Sequence, residues 1–272
     1  MELDWIIRQN RPDAQASAGP RAAPWRRAVP LLTLAAALGL WQAAVTLGHV
    51  APYILPSPGE VVLKAVRVVA DGTLLANTAV TLAEVLGGLT LGATVATVLG
   101  YALARSLTVE RALAPYLVAS QAIPIVAIAP ILVLWFGYGL TSKILISALI
   151  VFFPILINTM AGVRGVPAEL RDLMRTLRAT PWQTFTKLEV PAAMPVLLAG
   201  LKVGATLSVI GAVVGEMAGA DRGLGVMIGI ANGQYDVARM FVGVFALVGL
   251  ALALYGAVSL VERRALAWKR QG

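Results

Sequence analysis

Long apolar runs alternate with short polar segments along most of the chain. Six of these runs are each about long enough to cross a hydrocarbon core of roughly 30 Å at a helical rise of about 1.5 Å per residue. The pattern therefore predicts an all-α integral membrane protein with about six transmembrane helices. The runs cover residues 29–48, 78–104, 112–136, 144–163, 196–217 and 241–260.

A polar segment at residues 164–195 separates the fourth and fifth runs, and it carries apolar side chains at helical spacing. Leu170, Leu173, Met174 and Leu177 fall at positions i, i+3, i+4 and i+7, whereas the arginines among them point elsewhere. This spacing predicts a short amphipathic helix with one apolar face.

A second helical turn is predicted directly after this helix. Thr180 is suited to the N-cap, because Pro181 then occupies the first helical position, where no N–H is needed. We expect Pro191 to end the turn, because proline cannot donate the hydrogen bond that would continue it. The predicted apolar face of this turn comprises Trp182, Phe185 and Leu188.

Lysine and arginine are distributed unequally between the two sides of the predicted bundle. If the N-terminus is cytoplasmic, the inside segments contain seventeen of the 22 basic residues, six of them between Arg164 and Lys202. This bias places both termini and the 164–195 segment in the cytoplasm. The five basic residues outside are Lys64, Arg67, Lys143, Arg222 and Arg239.

The chain is predicted to form one membrane domain with short ends. Residues 1–27 are expected to be a basic cytoplasmic tail, residues 28–268 the transmembrane domain, and residues 269–272 a cytoplasmic C-terminal end. The first apolar run is interpreted as a retained anchor, because it is longer than the roughly 7 to 15 residues of a signal peptide. Residues 55–71 begin with Leu-Pro-Ser-Pro and predict an amphipathic helix at the outer interface.

Composition excludes several classes of function. A chain that is 58% hydrophobic and 13% charged cannot cover the surface of an ordinary soluble domain. Its net charge of +8 does not indicate nucleic-acid binding, because the basic residues lie between apolar runs rather than on one polar face. Cysteine is absent and His49 is the only histidine, so we predict no catalytic residues and no metal site. The phosphate-binding loop G-x-x-x-x-G-K-[ST] is also absent, so any ATP is expected to bind another chain.

Two carboxylates fall within the predicted spans, where charge usually serves a function. For Glu84, a position at a helix end or at the membrane interface is favoured over a role in transport. Glu216 is a candidate for a translocation path, because the glycine-rich turn at residues 219–225 follows it.

The third run is interrupted by prolines within the membrane. Pro124 and Pro130 follow Gln121 closely, and a broken helix at this depth is tolerated where protein or a water-filled path satisfies the freed carbonyls. This favours a pore-lining helix, with Gln121 and Pro124 as further candidates for the translocation path.

Several strings in the sequence resemble those of a known family. Val190-Pro-Ala-Ala-Met-Pro195 resembles the end of the EAA loop of type I ABC importer permeases. Further strings are similar to the nitrate, sulfonate and taurine branch of that family, and the likeness runs from about residue 30 to 268. These strings are at residues 55–58, 123–130, 134–137, 153–159 and 223–225.

The loop departs from the family pattern at the positions that give it its name. Where Glu-Ala-Ala and a later glycine are typical, this chain has Asp172, Leu173, Met174 and Arg178. We interpret the change as a variant docking surface for its own ATPase, with a turn that does not require positive φ at Arg178. The resemblance implies that the ATPase-coupling residues are Leu170, Asp172, Leu173, Met174, Leu177, Arg178 and Trp182.

The resemblance implies a permease of the bacterial inner membrane with a cytoplasmic coupling helix, not an enzyme. Its expected partners are ABC ATPase subunits, which would use the ATP, an extracytoplasmic substrate-binding protein, and a second permease copy. The expected solute is a vitamin-related heterocycle, such as riboflavin or a thiamine pyrimidine precursor, or a sulfonate, taurine or nitrate. The alternative is an ion-coupled secondary transporter, which the scarcity of charge at membrane depth disfavours.

Overall fold

The computed structural model describes residues 25–267; residues 1–24 and 268–272 lie outside the described part, and with them most of the predicted tail and the whole C-terminal end. All regular structure within residues 25–267 is helical. The helices are α1 (Trp25–Leu47), α2 (Pro58–Ala70), α3 (Thr73–Arg105), α4 (Leu107–Gln121), α5 (Ile125–Phe136), α6 (Leu140–Arg164), α7 (Ala168–Thr176), α8 (Pro181–Thr184), a π-helical turn (Phe185–Glu189), α9 (Val190–Gly219), α10 (Leu224–Gly233) and α11 (Val237–Ala265).

The prediction of an all-α membrane protein is confirmed. Four helices are long and apolar enough to cross a membrane, namely α3, α6, the continuous helix Pro181–Gly219, and α11. The pair α4 and α5 would count as a fifth, broken span, because the two helices meet at 91°. Helix α1 coincides with the first predicted run and belongs to a compact unit that ends at Ala51, whereas the other helices belong to a second unit that begins at Pro52.

The predicted break in the third run lies at Pro124. Helix α4 ends at Gln121, and Pro124 has extended backbone angles as the N-cap of α5. Ile123 precedes this proline, and the residue before a proline is disfavoured in the helical region. Pro130 lies inside α5 without ending it, so only one of the two prolines breaks the span.

The core of the larger unit is helix α6, which packs between α3 and α9. Ser147 on α6 faces Gly88 of α3 and Gly211 of α9, and its hydroxyl donates to the Ser208 carbonyl. A Cβ added at Gly92 would lie 2.7 Å from the carbonyl oxygen of Ala148, and one at Gly211 would lie 2.5 Å from Cα of Ser147. The three helices therefore pack backbone against backbone, which only small residues permit.

The expectation that Pro191 ends a helix is wrong. The chain is helical without interruption from Pro181 to Gly219. A π-helical turn precedes the proline, and in it the Val190 N–H donates to the Phe185 carbonyl. Pro191 then lies in the first turn of α9, where its missing N–H costs little because the wider turn has already shifted the hydrogen-bond register.

The amphipathic helix predicted after Leu-Pro-Ser-Pro is confirmed as α2. Ser57 and Glu60 form a capping box at its start, Pro58 is its first residue, and Val61 and Val68 are its buried residues. Its place at the outer interface stays a prediction. Helix α10 was not predicted, because its ten residues follow a glycine-rich turn and are too few to form a span.

We predict that Gly92→Ala lowers the free energy of unfolding by about 1–3 kcal/mol, because the new methyl group must push α3 away from α6. The measurement is thermal unfolding of the purified protein in detergent. Gly249→Ala on α11 is the matched control, since a Cβ there meets nothing within 4 Å, and the higher helix propensity of alanine should leave its stability unchanged or raised. Equal melting temperatures for the two variants would contradict the close packing.

Candidate functional site

The amphipathic helix predicted from residues 170–177 is confirmed as α7, and its apolar side chains are largely uncovered. Leu170 is 41%, Leu173 52% and Leu177 67% exposed, whereas Met174 is half-buried. Leu177 is the C-cap residue rather than part of the helix. We call these four residues the α7 apolar face. An apolar patch of this kind with charged neighbours is typical of a surface that binds another protein.

The expectation that Arg178 avoids positive φ is wrong, because its φ is +51°. The Ala179 N–H donates to the Met174 carbonyl, and the Arg178 N–H donates to the Arg175 carbonyl. This pair of hydrogen bonds is a Schellman motif, whose left-handed position glycine normally occupies. The backbone at this position therefore has the left-handed conformation that favours glycine, although the residue is an arginine.

The other predicted coupling residues lie on the same connecting segment. Asp172 is exposed and pairs with Arg175 at 3.1 Å, which is a surface pair of small energetic value. Thr180 caps α8 in a capping box with Gln183, as predicted. The Trp182 ring is 70% exposed and lies 5.5 Å from the Phe185 ring, measured between centroids.

A buried carboxylate, Glu189, links this segment to the bundle. It accepts hydrogen bonds from the Tyr101 hydroxyl and the Arg105 guanidinium at the end of α3, both at 2.8 Å. Arg171 on α7 lies 3.8 Å from the same carboxylate and donates to the Val163 carbonyl at the end of α6. We call Glu189, Tyr101, Arg105 and Arg171 the Glu189 cluster. It connects α7 with α3, α6 and the start of α9.

Sequence reasoning did not identify Glu189 as a functional residue. Its only local signal is that it is the last charged residue before the apolar run that forms α9. The partners of its carboxylate come from residues more than 80 positions earlier, on α3. Such a pairing cannot be read from helical periodicity.

At the other end of α9, the carboxylate of Glu216 is also buried, and it caps helix α10. It accepts a hydrogen bond from the Gly225 N–H group in the first turn of that helix. The Thr81 hydroxyl of α3 donates to the same carboxylate and accepts the Leu224 N–H. The free N–H groups at the start of α10 are thus satisfied by side chains from two other helices.

The string Gly223-Leu-Gly225 provides the space for this cap. A Cβ at Gly223 would overlap the Glu216 carboxylate, and one at Gly225 would lie 2.8 Å from its Oε2 atom. Gly223 also has a φ of +131°, and its N–H donates to the Asn77 side chain. The glycines are therefore required by close approach of a carboxylate to backbone, and we call Glu216, Thr81, Asn77 and this string the Glu216 cap.

The expectation that Glu84 lies at a helix end or at the interface is wrong. Glu84 is buried within α3, and within residues 25–267 its Oε2 atom has no hydrogen-bond partner. Lys143, which was counted with the outer loops, is buried in the first turn of α6 and donates to the Tyr138 carbonyl. Both were misplaced because their neighbours lie on other helices. Within residues 25–267 no group of three His, Asp or Glu could hold a metal ion.

The three candidates for a translocation path are not brought together by hydrogen bonds. Gln121 is exposed at the bend between α4 and α5, and its amide donates to the Leu117 carbonyl of its own helix. Pro124 is exposed at the same bend. No hydrogen bond in the described part of the chain joins either residue to Glu216, whose carboxylate binds α3 and α10. Their roles stay predictions.

An ion pair ties α2 to the start of α11. Lys64 lies 2.7 Å from Asp236, which is the N-cap of α11 and accepts the Arg239 N–H. Burial acts to raise the pKa of Asp236, but the hydrogen bonds from Lys64 and Arg239 outweigh it and keep the pKa below its ordinary value of 3.8. Because the folded-state pKa is depressed, this contribution to stability is present at neutral pH and is lost only in acid.

The sequence matches the family described as "Binding-protein-dependent transport system inner membrane component" over residues 74–266. A solved structure, titled as inward-facing conformations of the MetNI methionine ABC transporter, covers 69% of this chain and 91% of its own at a TM-score of 0.56. At 22% identity this likeness shows the fold alone. It agrees with the type I ABC importer permease fold implied by the sequence.

Curated relatives match most of the chain. The riboflavin transport system permease protein RibX of Chloroflexus aurantiacus is 45% identical, covering 88% of this chain and 89% of the relative. The formylaminopyrimidine transport permease protein ThiX of Halalkalibacterium halodurans is 37% identical, covering 81% and 88%. The putative aliphatic sulfonates transport permease protein SsuC of Bacillus subtilis is 34% identical, covering 88% and 87%. The branch suggested by the sequence strings is confirmed.

We predict that Arg178→Gly stabilises α7 by about 1 kcal/mol, because the left-handed conformation costs a residue with a side chain roughly that much more than glycine. Amide hydrogen exchange across residues 168–179 should then be slower by about fivefold. Arg175→Gly is the matched control, and it should speed exchange because glycine weakens a helix interior. Faster exchange in Arg178→Gly would contradict the Schellman geometry.

Proposed function

Because the chain belongs to the family of binding-protein-dependent transport system inner membrane components, we propose that it forms the translocation path of an ATP-driven importer for a small organic solute. Its relatives are permease subunits of ABC transporters, which carry solutes rather than catalyse reactions. Family membership leaves the ion-coupled secondary transporter without support. In this proposal a partner ATPase binds and hydrolyses the ATP, and this chain binds no cofactor.

The observation that carries the proposal is the uncovered α7 apolar face. Leu173 on α7 and Leu177 at its C-cap expose more than half of their surface, and the helix lies between two spans in the sequence. Apolar contact at the centre of an interface, with charges such as Asp172 and Arg175 at its rim, provides both affinity and orientation. We therefore assign the ATPase docking surface to this face, with Arg178 and Trp182 beside it.

The Glu189 cluster supplies a path for movement from the docking surface into the bundle. A displacement of α7 acts through Arg171 on the end of α6 and on Glu189 at the start of α9. Glu189 in turn holds Arg105 and Tyr101 on α3. Closure of the ATPases would thus move three packed spans together, which is the rigid-body movement that alternating access requires.

The remaining partners and the orientation follow from the family and from the distribution of charge. The excess of basic residues supports a cytoplasmic location for α7 and for both termini. An extracytoplasmic substrate-binding protein would then deliver solute on the opposite side, near the Glu216 cap. A second copy of this chain is proposed to complete the path, in the inner membrane of a bacterium.

A vitamin-related heterocycle is the solute that the relatives support best. Over the matched residues, the riboflavin permease and the formylaminopyrimidine permease are 45% and 37% identical to this chain, compared with 34% for the sulfonate permease. Riboflavin and formylaminopyrimidines are both flat, nitrogen-rich ring systems. A sulfonate, taurine or nitrate is the second candidate class.

The docking surface is tested with Leu173→Asp, which places a charge in the apolar contact. The variant should weaken association with the ATPase at least tenfold, because the interface loses an apolar side chain and must desolvate a carboxylate. Co-purification of the ATPase with the tagged permease measures this. Ala168→Asp is the matched control, since it adds the same charge at an exposed position on the opposite side of α7. Equal loss of ATPase in both variants would contradict the assignment.

The solute is tested by uptake in cells that express the chain with its ATPase and its receptor. We expect accumulation of labelled riboflavin or formylaminopyrimidine, but not of taurine, and we expect Leu173→Asp to abolish it. Accumulation of taurine instead would assign the sulfonate class. Accumulation that persists in Leu173→Asp cells and stops on addition of an uncoupler would contradict an ATP-driven mechanism.

A further inference from the structure

A basic cavity lies beside the Glu189 cluster. It has a volume of about 440 Å³ and lies between the end of α3, helix α7 and the start of α8. Three arginines line it, Arg105, Arg171 and Arg175, and Glu189 is its only lining carboxylate. The cavity therefore carries more positive than negative charge, and an anion is the ligand that would complement it.

Part of this positive charge has no close buried partner among residues 25–267. Glu189 is engaged by Arg105 and Tyr101, and its distance to the Arg171 Nε atom is 3.8 Å. That Nε atom is buried and makes no hydrogen bond. Arg175 is exposed, and its guanidinium pairs with the exposed Asp172 on its own helix at 3.1 Å. A phosphate group accepts hydrogen bonds from several guanidinium groups at once, so it would satisfy these donors.

An apolar groove of about 310 Å³ shares the Glu189 side chain as a common wall with this cavity. Val98 on α3 and Leu197 on α9 form its sides, and Phe185 and Tyr101 lie beside Glu189. Val98 is seven residues from Arg105 along α3, and Leu197 is eight residues from Glu189. At about 1.5 Å per residue the groove therefore extends roughly 10–12 Å deeper into the bundle than the arginines.

We propose that the cavity and the groove together bind one anionic phospholipid, with its phosphate among the arginines and an acyl chain along Val98 and Leu197. A basic pocket between spans with an apolar groove below it matches the layering of charge and hydrocarbon in a lipid leaflet. The assignment to the cytoplasmic leaflet rests on the orientation in the proposed function. The lipid would hold α7 against α3 and α9, so it would stiffen the contact on which coupling depends.

The test measures which lipids remain bound to the purified full chain. The protein is equilibrated in nanodiscs of equal parts phosphatidylglycerol and phosphatidylcholine, extracted into detergent, and examined by native mass spectrometry. We expect preferential retention of phosphatidylglycerol. Arg175→Gln should reduce that retention about fivefold, since one basic residue near an anionic headgroup contributes about that factor. Val98→Trp should reduce retention of the same lipid by filling the groove.

Arg263→Gln is the matched control, because it removes an exposed charge near the end of α11, away from the cavity, and it should retain lipid as the unmodified chain does. Equal retention of the two lipids would overturn the proposal and would leave an acidic segment of the ATPase or a second permease copy as the occupant. Retention unaffected by Val98→Trp would also overturn it. Neither result bears on Leu173→Asp and ATPase binding, so the two proposals fail separately.

Discussion

The structure depends on one interaction: buried carboxylates next to one span are hydrogen-bonded by side chains of another span. Helix α9 carries such a carboxylate at each end, and both are bound by α3. Glu189 holds Tyr101 and Arg105 at one end, and Glu216 holds Thr81 at the other. Helix α6 lies between the two helices and meets both through glycines. Neither α3 nor α9 can slide past the other without exposing a charge to lipid, so the three spans behave as one body.

This rigidity explains how a contact at the α7 apolar face could act on the spans. An exposed apolar helix on a flexible loop would absorb a push from a partner, whereas α7 is fixed to the three-span body through Arg171. The α7 segment thus exposes its own apolar surface, but Arg171 connects it firmly to the three-span body. The same body carries the Glu216 cap at the opposite end, where α10 begins. In the proposed function, a movement that enters at α7 would therefore reach the other side of the bundle without a flexible joint between them.

Local features of the fold were predictable from sequence, whereas features that depend on distant partners were not. The spans, helix α7, the Thr180 cap and the break at Pro124 follow from spacing and turn chemistry within a few residues.

Pro191 was misjudged because a π-helical turn adjusts the register before it. Arg178 was misjudged because a Schellman motif determines its φ, whichever side chain is present. Glu84 and Lys143 were placed at the surface because the helices that bury them, such as α9 against Lys143, are far away in sequence. The string Gly223-Leu-Gly225 was recognised in the sequence, but the need for glycine there became clear only from the position of the Glu216 carboxylate.

The π-helical turn at Phe185–Glu189 has a geometric consequence for how this surface could vary. A turn that contains one surplus residue offsets everything before it by about 100° around the helix axis relative to everything after it. The π-helical turn thus determines on which side of the helix Trp182 lies relative to the residues of α9, although both belong to one continuous helix. Removing a single residue from the turn would rotate Trp182 by about 100° around the helix axis relative to α9. The faces of α9 that pack against other spans would stay in place. In the proposed function, such a change would redirect the contact of Trp182 with the ATPase and leave the spans unchanged.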